Sequence, residues 1–519
     1  MKAIAELSQT YFPKVEGTVD THKLDISLIV IPPVRLQQLR SFLNNPSAQF
    51  TCPEQAVLLE VMVRRTQSVL GVLGTGFGKT FIILMQAWLQ KPLVTIVVLP
   101  LSTLHDDLKR RANDLKVSYS RWSPKGKYNP DVNVISVSIE HLGFPEFIRF
   151  MRDLEHQGRL GPFVFDEIHK VITDSDYRDA FKNVRAFHEV KAVIFGLTGS
   201  LPPSLFNVLC ALTSVTWKVL RTPSYRKELK YQVVRVSAEN EMNAAIVEHL
   251  HRSISSYRPE DRAMVFCRSK QHVTTLACLF KTHPYCAPGD NDTLLEKNKE
   301  AMIKWISGDN KVMTSTSILG CGIDYSHVRD IIHRDPSFTM LDQYQEDSRG
   351  GRDGLQCRAT TFIVDRKKYQ FTNQPYDLGG DFLLNSLGDT SCRRTGPGLF
   401  FDGQPIQCVT LPGAEFCDNC ERATAISQSN NLSFLSKPVT STNPKRFSPP
   451  KRSFDLFDHS PRIDLREHLF PLKRKRSSLN SSSSTISRTV ESSPAKRVHF
   501  SDATLTCVFE FYLKLFCEF

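Results

Sequence analysis

Ser68-Val69-Leu70-Gly71-Val72-Leu73 runs directly into Gly74-Thr75-Gly76-Phe77-Gly78-Lys79-Thr80, and the apolar stretch Phe81–Leu89 follows. A short apolar run, a glycine turn and a longer apolar stretch predict a strand, a loop and a helix in that order. Three glycines let the backbone curl so that successive N–H groups face an anion, and the helix adds its positive N-terminal end. In such a loop Lys79 reaches the β- and γ-phosphates of a nucleotide, and the Thr80 hydroxyl holds Mg²⁺. The strict form of this pattern has a glycine where Leu73 stands. A glycine-rich turn that binds nothing is the bland alternative; the intact Gly-Lys-Thr between strand and helix weighs against it.

The same rhythm extends on both sides. Apolar runs at Thr95–Leu99, Val132–Val137, Phe163–Phe165 and Ala192–Leu197 alternate with helical stretches, which indicates a parallel sheet covered on both faces. After about Tyr231 it returns with Gln232–Val236, Ala263–Cys267, Lys311–Thr314, Asp330–His333 and Ala359–Val364. Two α/β units in tandem are expected. Leu28–Pro33, ended by a proline pair, reads as a strand or a turn. Pro162-Phe163-Val164-Phe165-Asp166-Glu167-Ile168-His169 places two carboxylates at the end of an apolar strand, 87 residues after Lys79. Asp166 suits Mg²⁺ binding through water, and Glu167 suits orienting and deprotonating an attacking water.

The chain has 519 residues, 41% apolar and 23% charged, which fits a soluble protein of several domains and excludes a wholly disordered or collagen-like one. No uncharged apolar run reaches the length of a membrane-spanning helix, and the opening residues lack a secretory apolar core. Thirteen cysteines without such a leader point to reduced thiols or a metal site. The net charge of +12 is uneven: 15 Lys/Arg and 8 Asp/Glu lie from Ala423 onward, leaving only +5 for residues 1–422. Any nucleic acid is therefore expected in local grooves of the body rather than in a general positive field. From Ala423 the chain holds 18 serines with scattered prolines, a disordered composition. Lys473-Arg474-Lys475-Arg476 and Lys496-Arg497 read either as nuclear import signals or as a solvated basic tail. Leu505–Phe519 turns apolar again, as a small amphipathic helix would.

Cys392, Cys408, Cys417 and Cys420 place four thiols within 29 residues. Four thiolates satisfy tetrahedral Zn²⁺ and order a segment that has little core of its own; unpaired thiols are the alternative. Cys267 and Cys321 read as packing residues.

Asp166-Glu167-Ile168-His169 resembles the signature of superfamily 2 helicases, and further motifs of that family follow in order. Gln55, in Phe50-Thr51-Cys52-Pro53-Glu54-Gln55, resembles its adenine-reading glutamine. Leu99-Pro100-Leu101-Ser102-Thr103-Leu104 resembles its first nucleic-acid contact motif, and Leu197-Thr198-Gly199-Ser200-Leu201 the motif that couples hydrolysis to strand movement. Val265-Phe266-Cys267-Arg268-Ser269 and Thr316–Asp324 resemble motifs IV and V. Gln343-Tyr344-Gln345-Glu346-Asp347-Ser348-Arg349-Gly350-Gly351-Arg352-Asp353-Gly354 resembles motif VI, with Arg349 and Arg352 three apart on one helical face. Gly320-Cys321-Gly322-Ile323-Asp324 before it and Arg352-Asp353-Gly354 within it are similar to RecQ-type DNA helicases.

This resemblance implies two tandem RecA-like parallel-sheet domains, a small Cys-rich zinc-type segment and a disordered tail. The expected divisions are an N-terminal extension at 1–48, domains at 49–222 and 223–386, the zinc segment at 387–422 and the tail at 423–519. It implies an ATP-dependent DNA helicase, moving 3′ to 5′ on single-stranded and tailed duplex DNA in the nucleus, with ATP, Mg²⁺ and Zn²⁺. Lys79, Asp166, Glu167, His169, Arg349 and Arg352 carry the implied catalysis, the two arginines as fingers from the opposite unit. Gln55, Gly74, Thr75, Gly76, Gly78, Lys79, Thr80, Asp166 and Asp324 hold the nucleotide. Leu101, Thr103, Arg268 and Thr314 contact the strand. Differences from the family pattern are Ser348 in place of Gly, Gly350 in place of Ala, no Trp in Lys170–Arg178, and no winged-helix pattern after Cys420. An RNA-directed helicase or translocase, or a decayed motor retained for DNA binding, are the rival readings.

Overall fold

All ten apolar runs become strands in the computed structural model. It describes residues 22–434, apart from 75, 101, 127–128, 175–191, 288–290, 318–324, 366, 370–375 and 389. The first lobe contains β1 (Val69–Val72), β2 (Val94–Leu99), β3 (Tyr119–Arg121), β4 (Val134–Ser138), β5 (Leu160–Phe165), β6 (Ile194–Thr198) and β7 (Lys218–Arg221). They form one sheet in the order β3-β4-β2-β5-β6-β1-β7, with every pairing parallel. Parallel neighbours need crossovers, so helices cover both faces and β1, β2 and β6 are buried along their whole length. One apolar cluster includes Phe163, Phe165 and Trp217; the other, beneath the glycine loop, includes Leu58, Ile83 and Phe195.

The second lobe contains β8 (Leu229–Val236), β9 (Arg262–Cys267), β10 (Val312–Ser315), β11 (Val328–Arg334) and β12 (Cys357–Val364), again all parallel, in the order β10-β9-β11-β12-β8. Leu28–Pro33 forms neither a strand nor a simple turn: a 3₁₀ turn at Ile26–Leu28 leads to helix α1 (Val34–Leu43). Its proline pair accounts for the switch, since proline suits a helix start and lacks the N–H that a strand interior needs.

The helices that position the site are α2 (Pro53–Arg64), α3 (Lys79–Leu89) and α4 (Ser102–Asp114) in the first lobe, and α5 (Met340–Asp347) in the second. Thr339 caps α5, its hydroxyl accepting from the Asp342 N–H at 3.0 Å. Beyond β12, α6 (Gly380–Gly388), α7 (Thr395–Asp402) and α8 (Asp418–Phe434) surround the four cysteines. Helix α8 runs past Ala423, where the composition had suggested disorder. Leu383, Leu387, Phe400 and Phe401 join Met340 and Tyr344 in one apolar cluster, so this segment packs directly on α5. Among the described residues, no helix is long and apolar enough to cross a membrane.

A buried charge fixes the centre of the second sheet. Asp330 on β11 lies opposite Arg358 on β12 and accepts two hydrogen bonds from its guanidinium, each 2.7 Å. The Tyr257 hydroxyl donates to the same carboxylate. Burial would raise the Asp330 pKa, but these donors and the Arg358 charge bring it below the usual carboxylate range. Asp330→Ala is expected to cost about 3 kcal/mol, because it strands Arg358 and Tyr257. Denaturant unfolding checks this, and an unchanged midpoint contradicts it.

Candidate nucleotide site and cysteine cluster

The loop after β1 turns back on itself because Gly76 and Gly78 adopt φ of +91° and +76°. A Cβ at Gly78 would also lie 2.8 Å from Gln55 Nε2, so the loop is packed as well as bent. Gln55 is buried at the start of α2. Its Nε2 donates to the Phe77 carbonyl at 2.9 Å and its Oε1 accepts from the Thr51 N–H at 3.0 Å. The glutamine expected to read a base thus also splints the phosphate loop. Thr222 Oγ1 accepts from the Gly74 N–H at 3.2 Å, and Lys79 Nζ donates to the Leu73 carbonyl at 3.3 Å. Leu73, where a glycine was expected, is fully buried in the core and takes part in the loop through that carbonyl. Thr80 sits in the first turn of α3, where its hydroxyl shares the helix N-terminus with Lys79. Thr75 lies outside the described residues.

Asp166 and Glu167 follow β5, and the chain turns there because Glu167 takes φ of +50°, a left-handed conformation uncommon for a residue with a side chain. Burial and the adjacent Glu167 carboxylate raise Asp166 to about 7. Burial acts upward on Glu167 too, but the hydrogen bond from His169 and the charges of Lys79, His169 and Arg349 hold it below its ordinary value. Two neighbouring half-buried carboxylates fit a divalent cation, whose charge relieves their repulsion. The influence of Arg349 on Glu167 places this second-lobe arginine within electrostatic reach of the first-lobe carboxylates.

His169 joins the two lobes. Burial lowers its pKa, so the ring is neutral and has one donor and one acceptor nitrogen. Gln345 Nε2, on α5, donates to His169 Nε2 at 2.8 Å and to Ser200 Oγ at 2.9 Å. His169 Nδ1 must then carry the proton, and it faces Thr198 Oγ1 at 2.9 Å and Glu167 Oε2 at 3.2 Å. Carboxylate strand, coupling motif and arginine motif thus share one hydrogen-bond network. Gln345, Thr198 and Ser200 were not singled out in the sequence as site residues. The available signal was Gln345 standing four residues before Arg349.

Motif VI is held from behind by His333 on β11, whose Nε2 lies 2.8 Å from Asp347 and whose Nδ1 lies 3.2 Å from Glu346. The ring also stacks on Phe266 at 5.7 Å and meets the Ser337 hydroxyl at 3.3 Å. Burial alone would lower its pKa; the charges and hydrogen bonds of Asp347 and Glu346 override this and raise it to about 9. Arg352 Nε donates to the Ser348 carbonyl at 3.3 Å. Ser348, in place of glycine, fits because its hydroxyl bonds back to the Gln345 carbonyl at 2.8 Å. Gly350, in place of alanine, has a steric reason: a Cβ there would fall 2.3 Å from Cys357 Sγ.

Two of the four residues expected to touch a strand are placed less favourably. Thr314 is fully buried in β10, inside a sheet covered on both faces. Arg268 donates to the carbonyls of Pro336 at 2.6 Å and Ser337 at 2.9 Å and stacks over Phe338, so its guanidinium serves the lobe's own structure. Thr103 belongs to the first turn of α4. Leu101 and Asp324, which was expected at the nucleotide, lie outside the described residues.

The sulfurs of Cys392, Cys408, Cys417 and Cys420 all lie within 4.8 Å of one another. Cys392 Sγ is 3.4 Å from Cys408 Sγ and 3.9 Å from Cys417 Sγ. A tetrahedral zinc with bonds of about 2.3 Å sets sulfurs about 3.8 Å apart, so the cluster fits the ion. Backbone N–H groups of Arg393, Cys408 and Cys417 point at cysteine sulfurs at 3.3–3.4 Å, as donors to thiolates do.

With this geometry in view, relatives can be compared. Residues 52–208 match the family model for the DEAD/DEAH box helicase, and residues 243–354 match that for the helicase conserved C-terminal domain. The chain is 26% identical over 423 residues to ATP-dependent DNA helicase Q-like 2 of Arabidopsis thaliana, covering 76% of this chain and 58% of that protein. It is 23% identical over 421 residues to ATP-dependent DNA helicase Q5 of Mus musculus, covering 73% and 42%. It is 25% identical over 300 residues to RecQ-like DNA helicase BLM of Xenopus laevis, covering 54% and 22%. The chain thus spans less than two thirds of the length of these relatives. Among solved structures, Mss116p bound to ssRNA and AMP-PNP superposes with a TM-score of 0.52 at 14% identity, covering 66% of this chain and 76% of that one. The DUF1998 helicase MrfA bound to DNA gives 0.51 at 14% identity, covering 64% and 51%. At that identity these two structures establish the shared fold.

Two outcomes follow from the geometry. Mutating His169 and Gln345 to alanine, singly and together, is expected to lower ATP turnover non-additively, with a coupling of about 1 kcal/mol; additive losses would contradict a shared network. His333 has a raised folded-state pKa, so its stabilisation is full below about 6.5 and is lost as pH rises through about 9. The melting temperature should therefore fall more steeply from pH 6.5 to 9.5 in the unmodified protein than in His333→Gln, and parallel curves would refute this.

Proposed function

The chain is a RecQ-like helicase homologue built on a DEAD/DEAH box helicase domain and a helicase C-terminal domain, and on that premise we propose that it couples ATP hydrolysis to 3′-to-5′ movement along DNA and to its unwinding. The observation that carries this reading is the contact of Gln345 with His169 and Ser200, which ties the arginine motif of one lobe to the carboxylates of the other. In this mechanism ATP lies against the glycine loop, where Lys79 and the α3 N-terminus neutralise its phosphates. Gln55 meets the base. Glu167 orients a water and takes its proton as the water oxygen attacks the γ-phosphorus and the bond to the β-phosphate oxygen breaks. Thr80 and Asp166 would hold Mg²⁺, which would supply further charge neutralisation on the phosphates. Arg349 and Arg352 stabilise the charge spread over the transferred group, and they are effective only while the lobes are closed.

Opening and closing of this cleft shifts the grip of each lobe on a single strand, which becomes movement along it. Cys392, Cys408, Cys417 and Cys420 would hold Zn²⁺, which would order the segment that packs on α5. The basic runs Lys473–Arg476 and Lys496-Arg497 support a nuclear location and add sequence-independent affinity for DNA.

Steady-state ATP hydrolysis by the intact chain, with and without single-stranded DNA, tests the reading. Single-stranded DNA is expected to stimulate turnover, and Lys79→Ala to reduce it about 100-fold. A 3′-tailed duplex should be displaced in preference to a 5′-tailed one. Equal rates for Lys79→Ala, or stimulation by RNA alone, would overturn the assignment.

A further inference from the structure

Arg226 lies in the segment between β7 and β8 that connects the two lobes, and it is 7% exposed. Its guanidinium donates to three carbonyls of the arginine loop: Ser348 at 3.2 Å, Gly350 at 2.8 Å and Gly351 at 3.2 Å. These carbonyls flank Arg349 and precede Arg352. One cation on three carbonyls is a strong, geometrically demanding clamp. On the far side, the close approach of Gly350 to Cys357 leaves the loop no room to retreat.

The clamp is itself held by the cysteine segment. Arg394 Nη1 donates to the Arg226 carbonyl at 2.6 Å, and its Nη2 donates to the Leu229 carbonyl at 2.7 Å. The Glu415 N–H donates to the Lys227 carbonyl at 2.9 Å, and Asp402 accepts from the Ser224 N–H at 3.0 Å. Arg394 stands two residues after Cys392, and the intervening Arg393 donates its N–H to Cys417 Sγ at 3.4 Å. The thiol cluster, the inter-lobe connection and the arginine loop are thus one continuous set of hydrogen bonds.

We propose that Arg226 is a positioning residue that aims Arg349 and Arg352 across the cleft, and that the four-cysteine segment sets its position through Arg394. This rests on the ATP-hydrolysis reading above. Loss of the clamp therefore affects turnover and leaves nucleotide affinity alone, because no group that would hold ATP against the glycine loop is disturbed.

The test uses the full chain with Arg226→Gln, Arg394→Gln and the double variant, followed by ATP kinetics and by hydrogen exchange of the amides from Arg349 to Gly354. For Arg226→Gln, kcat is expected to fall about 100-fold with KM little changed, as for a misaimed catalytic group. Exchange across the loop should quicken. Arg394→Gln should do the same to a smaller extent, and the double variant should cost no more than Arg226→Gln alone, since both act on one path. Should Arg226→Gln fail to fold, Arg226→Lys, which keeps the charge but loses the fork, carries the same readouts. Unchanged exchange, a raised KM with kcat intact, or additive losses would overturn the proposal. An unmodified chain without ATP turnover would instead refute the functional reading, and the exchange measurement would still decide whether Arg226 holds the loop.

Discussion

One neutral imidazole connects the halves of this molecule. Burial keeps His169 uncharged, so one ring nitrogen faces Glu167 and Thr198 in its own lobe while the other accepts from Gln345 in the opposite lobe. A protonated ring would have two donors and no acceptor, and the bond from Gln345 would be lost. Gln345 Nε2 reaches both this ring and the Ser200 hydroxyl, so the tautomer of His169 decides one of the two hydrogen bonds that Gln345 makes to the opposite lobe.

A second constraint comes from the arginines that never face the cleft. Arg226 and Arg394 are buried and largely bonded to backbone carbonyls, an arrangement that satisfies a buried cation through several directional donors. Their targets are the connection between the lobes and the loop carrying Arg349 and Arg352. The cysteine segment therefore lies against the helix and the connection that carry the arginine loop. Its own apolar core is small and is completed by Met340 and Tyr344 from α5.

Much of the fold was legible because most of the strands are buried on both faces. Such burial writes itself as a short, mainly apolar run, and all ten of these runs form strands, the partly exposed β8 among them. The two strands that escaped notice, β3 and β7, lie at the edges of their sheet and read Tyr-Ser-Arg and Lys-Val-Leu-Arg, where partial exposure permits polar residues. The phosphate loop, the carboxylate pair and the four cysteines were legible because their chemistry requires particular residues at short spacing. What the sequence could not display is direction. Arg268 matched a motif by identity and Thr314 was expected to touch the strand, but the Thr314 side chain is fully buried and Arg268 spends its donors on nearby carbonyls. Gln345 and Arg226 remained inconspicuous because their partners lie more than a hundred residues away.

The glycine loop, the carboxylate pair and the facing arginines make up the proposed nucleotide site. Calorimetric titration of Mg·ATP into the intact chain tests it most directly. Saturable binding of one nucleotide per chain is expected, abolished by chelating the magnesium and severely weakened in Lys79→Ala. A chain that takes up no nucleotide at any magnesium concentration would contradict it.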